Sequence, residues 1–191
     1  MNYQTMVSDL TGMDISNASL LDEPTSAAEA MMLAKRVAKS KSNTFFINSK
    51  TFKQTIAIIK SRAKPLGVEI EIGDRPDKGK EYFAAYFQYP NAEGSIEDLE
   101  SVTKDIQAKG GLMIIGTDLL ALTLLKTPGD FGADIAVGSA QRFGVPMGFG
   151  GPHAGFMAVK DVYKRSLPGR LIGLTQDLSL IHISEPTRHS D

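Results

Sequence analysis

Leu112-Met-Ile-Ile115, running on into Gly116-Thr117-Asp118, is the stretch on which the fold turns. Its unbroken apolar run is too short for a buried helix and too uniform for a strand with one wet face. It therefore reads as a strand buried on both faces of a sheet. That strand carries Asp118 to its carboxyl end, where open α/β sheets place their ligands.

Working outward, strand and helix signals alternate. Upstream, Ser95 with Asp98 caps a helix whose inward stripe is Ile96, Leu99, Val102 and Ile106, closed by Lys109-Gly110-Gly111. Tyr82–Gln88 is the strand before it, ended by Tyr89-Pro90. Val68–Ile72 alternates with period two, as expected near a sheet edge, and Thr44–Asn48 is a short apolar strand. Between those two, a helix starting at Ser49 buries Phe52, Ile56, Ile59 and Ala63 and breaks at Pro65-Leu66-Gly67, which implies a parallel crossover. Glu23-Pro24-Thr25-Ser26 opens an earlier helix, with Ser26 and Glu29 at capping-box spacing and Ala27, Ala30, Met31, Ala34 and Val37 facing inward. Downstream, Asp134–Gly138 and Gly155–Lys160 are strands flanking a glycine-rich loop. This alternation predicts a three-layer α/β fold with a mostly parallel or mixed sheet and no internal repeats.

Composition narrows the function classes. The 191 residues suffice for one good core, and a net charge of -1 gives no long-range attraction to nucleic acid or anionic membranes. Zero cysteines exclude disulfides, thiolate metal sites and a cysteine nucleophile, and fit a reducing compartment. No apolar run approaches the roughly 18 residues of a membrane span, and Met1-Asn-Tyr-Gln-Thr5 lacks a basic-then-apolar leader. Metal binding has no support. Lys35, Arg36, Lys39 and Lys41 cluster at the end of a helix, where positive charge complements the dipole.

The glycines of Gly138-Ser-Ala-Gln-Arg-Phe-Gly-Val-Pro-Met-Gly-Phe-Gly-Gly-Pro-His-Ala-Gly155 could cradle a phosphate through backbone N–H groups. Two nucleotide motifs fail there. No Gly-Lys-Ser/Thr ending exists, and the G-x-G-x-x-G spacing from Gly148 meets His153 where the third glycine belongs. A nucleotide-binding module stays as an alternative, beside the simpler reading of a glycine-rich turn between strands.

This stretch, with Asn17–Met31 and Thr117–Leu125, resembles the N-terminal half of the P-proteins of the glycine cleavage system, the glycine decarboxylases, from Asn2 to about Asp177. That family is similar to fold type I pyridoxal-phosphate enzymes, and the resemblance implies the large domain of that fold, incomplete here. Its two halves look like diverged copies, of which only the C-terminal one carries the Schiff-base lysine. By the same resemblance Arg142 falls at the lysine position, and a guanidinium that stays protonated cannot act as an amine nucleophile. Asp118 falls where the catalytic copy faces an aspartate to the pyridine nitrogen; here it is either a relic of that role or a structural cap before Leu119. Asp22–Ser26 corresponds to the segment that meets cofactor phosphate at a helix N-terminus. The dipole there favours phosphate, but Asp22 and Glu23 repel it, so they read as caps or as pocket lining.

Asp22, Glu23, Thr25, Asp118, Gln141, Arg142 and His153 are thus candidates for lining the active site or for the interface between halves, with no catalytic, cofactor-binding or metal residue expected in this chain. His153 either faces the shared channel or makes a structural hydrogen bond. The resemblance implies pyridoxal phosphate in the full-length enzyme, glycine as substrate, a lysine-bearing half or partner subunit, a lipoylated H-protein and a dimer. It also implies a cytoplasmic enzyme if bacterial and a mitochondrial-matrix one if eukaryotic, the cytoplasm being favoured. The wording Gln141-Arg142-Phe143 looks like the fused single-chain type, of which this is a fragment; a separate non-catalytic subunit is the other reading. Residues 178–191 form a non-native tail, because Leu178–Arg188 resembles the translation of a sequencing-library adapter; a natural strand and turn is the alternative.

Overall fold

The computed structural model describes residues 1–176 and 182–187. Seven strands form one mixed sheet. In chain order the elements are α1 (Asn2–Thr11), β1 (Ile15–Ser16), α2 (Glu23–Val37), β2 (Thr44–Asn48), α3 (Lys53–Ala63), β3 (Glu69–Gly73), β4 (Ala84–Tyr89), α4 (Glu100–Ala108), β5 (Leu112–Asp118), β6 (Ile135–Ser139) and β7 (Gly155–Val159). The spatial order is β1-β7-β6-β5-β4-β2-β3. Strands β3, β2, β4, β5 and β6 run parallel, whereas β7 is antiparallel to β6 and β1 is antiparallel to β7.

Alternating strand residues feed two cores, which is why the central strands are apolar throughout. On one face Ala27, Ala30, Met31 and Ala34 of α2 and Ile59 and Ala63 of α3 pack on Tyr86, Ile114 and Val137. On the other, Val7 of α1, Leu99 just before α4, and Val102 and Ile106 of α4 pack on Phe87, Met113, Ile115 and Ala136. Helix, sheet and helix make the three expected layers. Strand β3 lies at the predicted edge, with Ile72 exposed.

Helix α2 starts at Glu23 as read, capped by Asp22, while the starts of α3 and α4 depart from the sequence reading, each for a local reason. Asp22, not Ser26, caps α2: its Oδ1 accepts from the Thr25 N–H at 2.8 Å, and Ser26, already inside the helix, donates its hydroxyl to the Asp22 carbonyl at 2.8 Å. Helix α3 begins at Lys53 rather than Ser49, because the Asn48 side chain accepts from Lys50 N at 3.0 Å and holds a turn there. Helix α4 begins at Glu100, whose N–H donates to Asp98 Oδ1 at 3.0 Å, and Ile96 stays outside the stripe, exposed.

Two glycines are required by close approach. A Cβ on Gly155 would lie 2.6 Å from Ser26 Oγ, so this glycine lets β7 press against the start of α2. A Cβ on Gly116 would lie 2.7 Å from Tyr86 Cζ and 2.8 Å from Gln88 Oε1.

Beyond the sheet, β8 (Leu171–Gln176) pairs antiparallel with β9 (His182–Thr187). The tail assigned to 178–191 therefore includes one described strand, while 177–181 and 188–191 lie outside the described residues. No helix among the described residues is long and apolar enough to cross a membrane.

Because the Tyr86 phenol fills the space a side chain at position 116 would need, Gly116→Ala is expected to destabilise the chain by about 2 kcal/mol through overpacking. Chemical denaturation of the two proteins measures it.

Candidate functional site

Polar side chains gather at the carboxyl end of the sheet, where the central strands β4, β5 and β6 carry Gln88, Thr117, Asp118 and Ser139 after largely apolar runs. Asp118 closes β5, opposite Ser139 at the end of β6. After β6 the chain makes a 3-10 turn, Gln141–Phe143, that folds back over Asp118. The turn is held from both sides. Gln141 Nε2 donates to the Pro152 carbonyl at 3.1 Å, and the Phe143 ring meets Tyr3 of α1 edge-on at 6.0 Å.

This geometry aims Arg142 at Asp118. Arg142 Nε donates to Oδ1 at 3.2 Å and Nη2 reaches Oδ2 at 3.1 Å, a two-pronged pairing that matches a guanidinium to a carboxylate. Asp118 Oδ1 also accepts from the Leu120 N–H at 3.1 Å. That bond closes a local turn, the following 3-10 helix having Leu120 and not Asp118 as its N-cap, and the ion pair is added to it.

Glu23 approaches from the first turn of α2. Its Oε1 accepts from Gln88 Nε2 at 3.0 Å, and Gln88 Oε1 accepts from the hydroxyl of the fully buried Tyr86 at 2.9 Å. Burial pushes the Glu23 carboxyl up to about 7; the Gln88 bond opposes that rise, and the charges of Asp118 and Asp22 add to it. Burial also raises the Tyr86 phenol well above its ordinary value.

Glu23, Phe52, Thr117, Asp118, Ser139, Gln141 and Arg142 line a cavity of about 200 Å³. Four of the seven residues singled out in the sequence thus meet: Glu23, Asp118, Gln141 and Arg142. Asp22 and Thr25 sit at the helix end, where the Asp22 carboxylate takes the N–H that a phosphate would use. His153 is exposed, lies outside the cavity lining and makes no side-chain hydrogen bond among the described residues, so the structural bond expected of it is not formed. The glycine loop leads into a strand, β7, and not into the helix N-terminus on which nucleotide phosphates rest.

Sequence reading missed Phe52, Ser139 and the pair Tyr86 and Gln88. The available signal was a glutamine near the end of an otherwise apolar strand, since a buried polar group needs a partner. Larger cavities lie elsewhere. One of about 330 Å³ beside α4 carries Arg75, Lys78 and Lys80, each in an ion pair with Glu97, Asp105 or Glu71. Another, of about 470 Å³, sits near the start of β5, with Lys160 paired to Asp134. Among the described residues no group of side chains could hold a metal ion.

The sequence model of the family described as "Glycine cleavage system P-protein" matches residues 1–181. The chain is similar to glycine dehydrogenase (decarboxylating) of Rhizobium meliloti (strain 1021), 55% identical over 179 residues, which are 93% of this chain and 19% of that protein. It thus spans about a fifth of the length of the curated relatives it matches. Its fold is similar to a solved glycine decarboxylase (P-protein) of the glycine cleavage system in inhibitor-bound form, with a TM-score of 0.87 and 34% identity over 97% of this chain and 44% of that one. A putative O-acetylhomoserine (thiol)-lyase from Campylobacter jejuni, solved with N'-pyridoxyl-lysine-5'-monophosphate, shares the fold at a TM-score of 0.65 and 16% identity, over 86% of this chain and 41% of that one.

A carboxyl group with a raised value binds its proton more tightly in the native state. Its stabilising contribution is present below its ordinary value of 4.5 and is lost as pH rises through about 7. The thermal midpoint is expected to fall across that window, and Glu23→Gln is expected to flatten the fall. Melting curves of both proteins across the window check this.

Proposed function

The chain belongs to the glycine cleavage system P-protein family, and from that premise we propose that it is a segment of a pyridoxal-phosphate-dependent glycine decarboxylase. The segment comes from the non-catalytic half, residues 1–177 forming part of its large domain and 178–191 standing outside it as a non-native tail. The whole enzyme takes glycine, releases CO2 and passes the aminomethyl group to the lipoyl arm of the H-protein.

The observation that carries this reading is the pairing of Arg142 with Asp118 at the end of β5 and β6. The residues present do not fit a resident pyridoxal phosphate. Among the described residues no lysine lines the cavity, the cation there is a guanidinium, and Asp118 is already engaged by it. The first turn of α2 offers a cofactor phosphate the carboxylates of Asp22 and Glu23 in place of free N–H groups.

The role left to this half is to pair with the lysine-bearing half and wall off its site. Leu120, Leu124, Met147 and Phe149 are exposed in the segments that follow β5 and β6, which supports burial there against another polypeptide. Excluding water protects a reactive carbanion, so such a wall matters chemically without a nucleophile of its own. In this reading the assembly is a dimer, the lipoylated H-protein is its partner, and the enzyme works in the cytoplasm. A fused single chain is preferred on the wording around Arg142, and a separate non-catalytic subunit is the second form.

Incubated with carboxyl-labelled glycine, pyridoxal phosphate and a lipoyl acceptor, the chain alone is expected to release no labelled CO2. Borohydride reduction of the same mixture should leave no stoichiometric pyridoxyl group on any one of its lysines. Turnover, or a single fully labelled lysine, would sink the proposal.

A further inference from the structure

We infer that the cavity beneath Arg142 is a binding site for a small zwitterion of glycine's size, its ammonium group on Glu23 and its carboxylate on Arg142. The inference rests on the reading above that this cavity holds no pyridoxal phosphate. Both charged walls keep an open valence. Glu23 Oε1 is taken by Gln88, which leaves Oε2 without a partner among the described residues. Arg142 gives Nε and Nη2 to Asp118, which leaves both N–H groups of Nη1 uncommitted.

Charge selects the ligand class. A simple anion entering the cavity meets Glu23 and Asp118, and a simple cation meets Arg142. A molecule carrying both charges satisfies each wall. The cavity of about 200 Å³ admits a small amino acid, with Ser139 and Gln141 as further polar contacts and Phe52 as an apolar wall. Tyr86 and Gln88 hold Glu23 in place, so the anionic wall is preorganised.

Equilibrium dialysis of labelled glycine against the full chain tests this, with pyridoxal phosphate titrated in a parallel arm. One saturable site is expected, binding about tenfold more tightly at about pH 8 than at about pH 6. Glu23 must be ionised to accept the ammonium group, and its carboxyl, which faces Gln88, Asp118 and Asp22 in a cavity that Arg142 also lines, titrates at about 7. Glu23→Gln should weaken binding about tenfold or more and abolish the pH dependence, and Arg142→Gln should weaken it by a similar factor, since each removes a charge-assisted bond. Methylamine and acetate should each fail to displace glycine at concentrations where glycine saturates.

Absence of saturable glycine binding to the folded chain overturns the inference, as does binding that is indifferent to pH or to both substitutions. The pH dependence of the unaltered chain keeps the test decisive where a variant fails to fold. Stoichiometric binding of pyridoxal phosphate that displaces glycine overturns the reading beneath it instead. Failure of both ligands overturns the inference alone.

Discussion

The ion pair between Arg142 and Asp118 is the interaction on which the meaning of this structure depends. It joins the ends of two neighbouring parallel strands, since Asp118 and Ser139 are partners in the sheet and Arg142 follows three residues later. Both side chains are partly solvated, at 58% and 33% exposure, so the pair is worth about 1 kcal/mol or less to stability. Its weight is chemical. In the function proposed above, this guanidinium takes the place of an amine and occupies a carboxylate that could otherwise face a pyridine nitrogen.

Around that pair the sheet imposes its own constraint. Strands buried on both faces carry their polar groups towards their ends, where most find a partner, the buried Thr117 hydroxyl being an exception among the described residues. Gly116 is bare so that the Tyr86 hydroxyl can reach Gln88, Gln88 in turn holds Glu23, and Glu23 lines the same cavity as Arg142. Packing deep in the sheet thereby fixes charge at its rim. The raised Glu23 carboxyl is first the consequence of its burial, with the nearby charges of Asp118 and Asp22 adding to it.

Much of this was legible in the sequence because the signals were local. The apolar run at Leu112–Ile115, the alternation at Val68–Ile72 and the strands on either side of the glycine loop each appear where expected, and Asp118 stands at its strand end. The starts of α3 and α4 were less legible, since local side-chain turns delay them: Asn48 holds the turn after Ser49, and Asp98 accepts from Glu100. For the Tyr86, Gln88 and Glu23 chain the sequence signalled only that Gln88 needs a partner; it did not name Glu23, 65 positions away, because the fold creates that contact. His153, conspicuous in its glycine-rich loop, is exposed and makes no side-chain hydrogen bond among the described residues.

The account stands on Arg142 closing the position a cofactor would need. A crystal structure of the chain grown in excess pyridoxal phosphate tests that most directly. The account predicts Arg142 still two-pronged on Asp118 and no pyridine ring at the end of β5. A ring seated there, its nitrogen against Asp118 and Arg142 swung aside, would contradict it.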